Sequence, residues 1–208
     1  MRDCGGVAAL VALLAPGCSA GVQRQAAGAL ANLCSDSTEN QDRVRECGGV
    51  AALVGLLAPG GSAAVLEWTA RALATVCAEN VLNQDSVREC GGIPALVALL
   101  APSGSAAVHK RAAGALYNLC SDNAQNRDSV RECGGVAALV GLLAPGGSAA
   151  VHDLAAAVLM NLTRESEQSR EAVRACGGVA ALERVLACAS SAVAHDWAEA
   201  TLCNLGHA

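Results

Sequence analysis

Residues 44–65 read VRECGGVAALVGLLAPGGSAAV, and residues 130–151 repeat them residue for residue. Within this stretch a polar segment ends at Glu46, Cys47-Gly48-Gly49 breaks it, and an apolar run follows. Pro59-Gly60-Gly61 stops that run before Ser62 opens another segment. Outward from here, Cys-Gly-Gly triplets begin at Cys4, Cys47, Cys90, Cys133 and Cys176, each 43 residues after the last. No residue is gained or lost over four periods. A period in this range is the signature of stacked helical units that bury a core only against one another. Duplication of a two-unit block accounts for the identity, and design by consensus would leave a similar trace.

Composition agrees with helices built from small residues. Hydrophobic residues make up 53%, aromatics only 1%, and Phe is absent, so Ala, Leu, Val and Cys must form the core. Ala and Leu are also the strongest helix formers. The net charge of −5 and pI near 5.3 argue against a phosphate-backbone binder, which needs clustered Lys and Arg. The uncharged run Cys47–Leu66 is long enough for a membrane span, but the Pro-Gly-Gly in it divides it into two short segments. The start, Arg2 followed by the apolar run Val7–Ala15, resembles a secretory signal. The same string recurs inside the chain, where no signal functions. The expectation is a soluble, intracellular protein, cytoplasmic or nuclear, without membrane insertion or nucleic-acid binding.

The third junction shows how one unit divides. Asn126–Glu132 reads as a short polar helix with Asp128 and Arg131 on one face, and Gly134-Gly135 breaks it. Val136–Ala144 reads as a short apolar helix ended by Pro145-Gly146-Gly147, with Ser148 capping a longer third helix to about Thr163. In the second junction Pro94 is placed at the first position of the middle helix, where its missing N–H costs nothing.

Leu96-Val97-Ala98-Leu99-Leu100 and Ala112-Ala113-Gly114-Ala115-Leu116-Tyr117-Asn118-Leu119, preceded by Gly-Gly-Ile, resemble the armadillo consensus over essentially the whole chain. HEAT repeats lack this glycine-bounded short helix. The resemblance implies an all-α, right-handed α-solenoid of about five 43-residue repeats of three helices. The chain then forms one solenoid of units 1–36, 37–79, 80–122, 123–165 and 166–208. The first unit lacks most of its opening helix. Neither end carries an obvious polar capping repeat, so the ends allow homo-oligomerisation.

In the armadillo family, an Asn near the end of the third helix forms a ladder that holds an extended peptide. The matching column here is Asn32, Thr75, Asn118, Asn161 and Asn204. An amide offers an acceptor and two donors, suited to a peptide backbone; the competing reading is that it bonds neighbouring rungs. Four residues earlier, where importin-α-like members carry Trp, this chain has Gly28, Arg71, Gly114, Ala157 and Ala200. That departure is more like the catenin, vacuolar and plant-type repeats than a nuclear-import receptor.

Seven residues before the ladder lie Gln25, Trp68, Arg111, Leu154 and Trp197, so both tryptophans share a column. They read either as binding anchors or as packing against the adjacent helix. The candidate peptide-binding residues are therefore Asn32, Asn118, Asn161, Asn204, Trp68, Trp197, Arg71 and Arg111. An acidic column, Asp36, Glu79, Asp122 and Glu165, either leads into the next helix or faces the groove and favours Lys- and Arg-bearing ligands.

The eleven cysteines fall mostly into repeat register and read as small core hydrophobes in a reducing compartment. No C-x-x-C occurs, so no metal is expected. His109, His152 and His195 form a column too widely spaced for one ion and read as a solvated helix start. No nucleophile elbow, zincin motif or phosphate loop is present, and no cofactor or catalytic residue is expected. The function expected is a non-enzymatic scaffold that binds an extended or helical peptide. The alternatives are a self-assembling repeat array or the armadillo portion of a larger ubiquitin-ligase, trafficking or signalling protein.

Overall fold

Each of the last four Cys-Gly-Gly triplets is a hinge whose two glycines meet different demands. The first glycines, Gly48, Gly91, Gly134 and Gly177, hold φ of 73°, 75°, 81° and 74°, a left-handed conformation that costs other residues. The second glycines have no space for a side chain. A Cβ on Gly135 would lie 2.5 Å from Val130 Cγ1, 2.7 Å from the Val130 carbonyl and 3.2 Å from Val97 Cγ2. The same crowding recurs at Gly49, Gly92 and Gly178.

The computed structural model describes residues 5–58, 60–188 and 191–207. Arg2, Cys4 and Pro59 lie outside the described residues, as do the first four residues of the first unit. Short polar first helices are α3 (Thr38–Glu46), α6 (Val81–Glu89), α9 (Ala124–Glu132) and α12 (Glu167–Ala175). Apolar second helices are α1 (Gly5–Ala12), α4 (Gly49–Gly55), α7 (Gly92–Ala98), α10 (Gly135–Leu142) and α13 (Gly178–Cys188). Long third helices are α2 (Ala20–Cys34), α5 (Ala63–Cys77), α8 (Ala106–Cys120), α11 (Ala149–Thr163) and α14 (Ala192–Asn204).

Ser19, Ser62, Ser105 and Ser191 cap their third helices by accepting from the backbone N–H three residues on. Ser148 stands at the same position but its hydroxyl makes no such bond; only its carbonyl accepts, from Val151 and His152. Pro94 is the third residue of α7 rather than its first. The substitution is still harmless, because the N–H groups of the whole first turn have no intrahelical acceptor.

The third helices stack in chain order, α2 on α5, α5 on α8, α8 on α11 and α11 on α14, in an all-α armadillo-type solenoid. Ala27, Ala70, Ala113 and Ala156 are fully buried in these contacts, beside Leu30, Leu73, Leu116 and Leu159. Alternating methyl and isobutyl groups let the backbones approach closely, which is how a chain without Phe packs a core.

A second, polar spine joins the repeats, and the sequence reading missed it. Gln84 Nε2 donates to the carbonyls of Cys77 at 3.3 Å and Asn118 at 2.9 Å, tying the end of α5 to the end of α8. Gln41 does the same one repeat earlier, to Cys34 and Thr75. Arg127 occupies this column in the next repeat and donates to the Cys120 carbonyl and to Glu165 Oε2 at 2.6 Å. Beside them Asn83 and Asn126 are fully buried and donate to helix-end carbonyls at Val76 and Leu119, 2.9 Å each. These side chains satisfy orphan carbonyls at the ends of α2, α5 and α8.

The last repeat departs from the others on its outer face. Glu199 stands in the column of the buried alanines, and Glu183 in the column of Val11, Val54, Val97 and Val140, whose methyls press on the next repeat's glycine. Both glutamates are exposed. This face therefore carries two carboxylates where the earlier repeats carry buried alanine and partly or fully buried valine. At the other end Leu33 is 42% exposed, whereas its counterparts Val76, Leu119 and Leu162 are fully buried by the preceding repeat.

Among the described residues no helix is long and apolar enough to cross a membrane.

Candidate functional site

The inner side of the solenoid is identified by a contact between rings. Tyr117 on α8 and Trp197 on α14 have centroids 6.4 Å apart, although α11 lies between their helices. Neighbouring helices pack about 8–10 Å apart, so helices two steps apart bring side chains together only inside the curve. This is the face that carries the Asn column.

The ladder residues have unlike surroundings. Asn32 is exposed, and its Oδ1 accepts from Arg71 Nη2 at 3.0 Å. Thr75 turns inward to its own helix, donating to the Ala72 carbonyl at 2.9 Å. Asn118 donates through Nδ2 to the Ala74 carbonyl of the neighbouring third helix at 2.7 Å. Asn204 repeats that bond to Met160 at 3.4 Å and adds Thr163 Oγ1 at 3.1 Å. Asn161 is only 5% exposed; its Oδ1 accepts from Arg164 and its Nδ2 has no partner among the described residues. At Asn118 and Asn204 the amide thus bridges rungs, yet Asn118 uses one N–H of two and leaves its oxygen to spare.

The bond to Ala74 sets a prediction. Asn118→Ala, on an empty groove residue, would leave the melting point unmoved; with this bond lost it costs about 1 kcal/mol. Thermal denaturation of the variant measures the difference.

Both tryptophans are half-buried and pack across the preceding third helix. The Trp68 ring lies over Gly28, where a Cβ would meet Cε3 at 3.2 Å, and Arg71 stacks on that ring at 4.8 Å. Arg111 pairs through Nε with Glu67 Oε1 at 3.6 Å. Between the two tryptophans the inner faces of α5 and α8 stay partly open at Arg71, Thr75, Gly114, Tyr117 and Asn118. A cavity of about 480 Å³ opens at the end of this stretch, lined by Glu79, Val81, Gln84, Tyr117, Asn118 and Asp122 among others.

The acidic column lies in the turns that lead into the first helices. Asp36, Glu79 and Asp122 hold φ of 58°, 54° and 52° and are exposed. Asp122 is 3.8 Å from Arg164 Nη1, and Glu165 leaves the pattern to pair with Arg127. The histidine column is not simply solvated. His109 is buried and its Nε2–H donates to the Ala101 carbonyl at 2.9 Å; His152 bonds Ala144 at 3.2 Å and Gln23 bonds Ala15 at 2.9 Å. Each bond straps the loop between second and third helix. His195 is exposed.

Cys34, Cys77 and Cys120 are fully buried, and burial raises their thiol pKa values, to about 11 for Cys34 and about 12 for Cys120. Thiols held protonated in this way are packing groups, not nucleophiles. Among the described residues no cluster of three or more His, Cys, Asp or Glu is arranged to hold a metal.

Comparison with known proteins places this architecture. The armadillo/beta-catenin-like repeat family matches residues 1–35 and 80–121. No curated protein matches the sequence. An engineered protein of known crystal structure is 30% identical, with 97% of this chain and 79% of that one covered and a TM-score of 0.89. A designed armadillo repeat protein, solved in complex with the peptide (KR)4, is 27% identical over 97% of this chain and 82% of that one, TM-score 0.86. The armadillo repeats only protein from Plasmodium falciparum shares the fold at 20% identity, covering 96% of this chain and 92% of that one, TM-score 0.80. With the glycine hinges, the stacked third helices and the Asn column in register, these likenesses identify the chain as an armadillo repeat protein.

Proposed function

We propose that this protein is a non-catalytic scaffold that binds an extended peptide along its inner face, centred on α5 and α8. The observation that carries the reading is the half-open stretch between Trp68 and Trp197, where Asn118 presents an unspent amide oxygen beside the 480 Å³ cavity. A backbone held through such amides contributes affinity without sequence preference. Glu79 and Asp122 at the cavity supply the preference, for Lys or Arg side chains, while Arg71 and Arg111 limit it to this part of the groove. The (KR)4 peptide on the related designed protein supports the same class of ligand. The absence of Trp four residues before the ladder favours kinship with catenin, vacuolar and plant-type repeats over nuclear-import receptors. Cys34, Cys77 and Cys120 are core thiols as expected, whereas Cys90, Cys176, Cys188 and Cys203 are exposed rather than in the core; free thiols of both kinds fit an intracellular compartment.

Peptide-display selection tests this reading, run on the parent and on a variant with Asn32, Asn118 and Asn161 changed to Ala. Enriched peptides that lose at least tenfold on the variant support the groove. Equal binding to both proteins would reduce the ladder to a bond between rungs.

End-to-end self-assembly is the second reading, and the exposed Leu33 favours it at one end. Stacking a second copy on the other end would bury Glu183 and Glu199, at the cost of desolvating two carboxylates. The parent is therefore expected to be monomeric, and Glu183→Val with Glu199→Ala to associate as protein concentration rises. Light scattering over a dilution series decides; concentration-dependent growth of the parent would favour assembly.

A further inference from the structure

The inner face is not equally open along its length. On α11, Ala157 is 3% and Met160 8% exposed, and Asn161 is buried with them. Their counterparts on α5 and α8 are half-exposed. The ring pair explains the difference, because Tyr117 and Trp197 meet over α11, tilted 57° to one another. Arg164 completes the cover, reaching Asn161 Oδ1 at 3.2 Å and Met160 Sδ at 3.7 Å.

Underneath, one donor is idle. Asn118 and Asn204 spend Nδ2 on the carbonyl one position before the preceding ladder residue. The matching acceptor for Asn161 is the Tyr117 carbonyl, which instead takes the Ser121 hydroxyl at 2.9 Å and the Ser121 N–H at 3.1 Å. Asn161 Nδ2 is left buried and without a partner among the described residues. Such a donor carries its full desolvation penalty until an acceptor arrives.

We propose that Tyr117 and Trp197 form a strap that closes the groove over the fourth repeat, and that an extended peptide reaches Asn161 only by parting the two rings. This rests on the groove reading above. The two states are balanced by unlike terms. Closed, the rings keep their contact and Asn161 keeps an unmet donor; open, the rings separate and a ligand carbonyl accepts from Nδ2. A short ligand binds α5 and α8 with the strap shut. A longer one must supply the backbone carbonyl that makes opening favourable, so the strap sets the minimum length of a ligand that uses the whole groove.

The chain itself supplies the variants. Tyr117 aligns with Ala31 and Ala74, and Trp197 with Leu154, so Tyr117→Ala and Trp197→Leu introduce residues the repeats already carry. In a Trp68→Phe background, which leaves Trp197 as the sole tryptophan, acrylamide quenching of the free protein should at least double on Tyr117→Ala. Equal quenching would mean the rings do not shield one another, and the strap would be excluded whatever the ligand. Display selection then runs on the parent, Tyr117→Ala and Trp197→Leu. Peptides enriched on either strap variant should lose at least tenfold when Asn161→Ala is added. Short peptides enriched on the parent should lose tenfold on Asn118→Ala but stay within twofold on Asn161→Ala. Short parent-selected peptides that need Asn161 as much as Asn118 would overturn the strap and leave the groove standing. No enrichment on any protein would overturn the groove, and the strap's role in binding with it.

Discussion

Leu116→Ala lowers stability by about 2–5 kcal/mol and broadens or splits the unfolding transition. Leu116 is fully buried at the middle of α8 and belongs to the column Leu30, Leu73, Leu116, Leu159 and Leu202. Two things place it at the costly end of that range. The surrounding core is made of Ala and Leu side chains on close-packed helices, so neighbours have little length with which to refill the space. In addition α8 packs against α5 on one side and α11 on the other, so one truncation weakens two interfaces. In a solenoid, stability is roughly a sum of units and nearest-neighbour terms, and loss of a central interface uncouples the flanking repeats. Leu202→Ala is the control: its side chain is in the last repeat, already 4% exposed, and a smaller cost is expected there. Urea denaturation followed by circular dichroism reads both. An unchanged curve for Leu116→Ala would mean that the helix register assigned here is wrong.

The fold was legible because the information is periodic. Cys-Gly-Gly at 43-residue intervals marks every hinge, and the apolar run and Pro-Gly stop after it mark the second helix. What single positions do was less legible, because the columns are equivalent in sequence but not in surroundings. Asn118 bonds the preceding third helix, Asn32 meets Arg71, and Asn161 is buried, although one motif writes all three. The differences come from distant neighbours, Arg71 at 39 residues from Asn32 and Ala74 at 44 from Asn118, which no local pattern reveals. His109 and His152 brace loops rather than standing solvated, since each reaches a carbonyl eight residues back that a helical projection does not place beside it. The polar spine of Gln41, Gln84 and Arg127 had a usable signal. These long polar residues recur at the repeat interval on the short first helices, away from the ladder column. Tyr117 had no such signal, because its column holds Ala, Met and Cys elsewhere.

Gly135→Ala is expected to cost about 3 kcal/mol, near the top of the range for overpacking. Helix propensity alone says the opposite, since replacing a helical glycine by alanine gains about 1 kcal/mol. The sign of the result therefore separates the two effects. Crowding wins because one of the three atoms in the way is the Val130 carbonyl oxygen, which cannot rotate aside as a side chain can. The added methyl has to push α10 away from the end of α9, and away from Val97 of the preceding repeat as well. Gly134→Ala supplies the comparison. Nothing lies within 4 Å of its Cβ, but its φ of 81° carries a backbone cost of about 1–2 kcal/mol. Adding Val130→Ala to Gly135→Ala removes the clash with Cγ1 and leaves the one with the carbonyl, so it should not restore the parent's stability. Thermal melts of the four proteins give these values. A Gly135→Ala variant as stable as the parent would show that the two helices are free to separate, and the second glycine of each hinge would then be there for the turn alone.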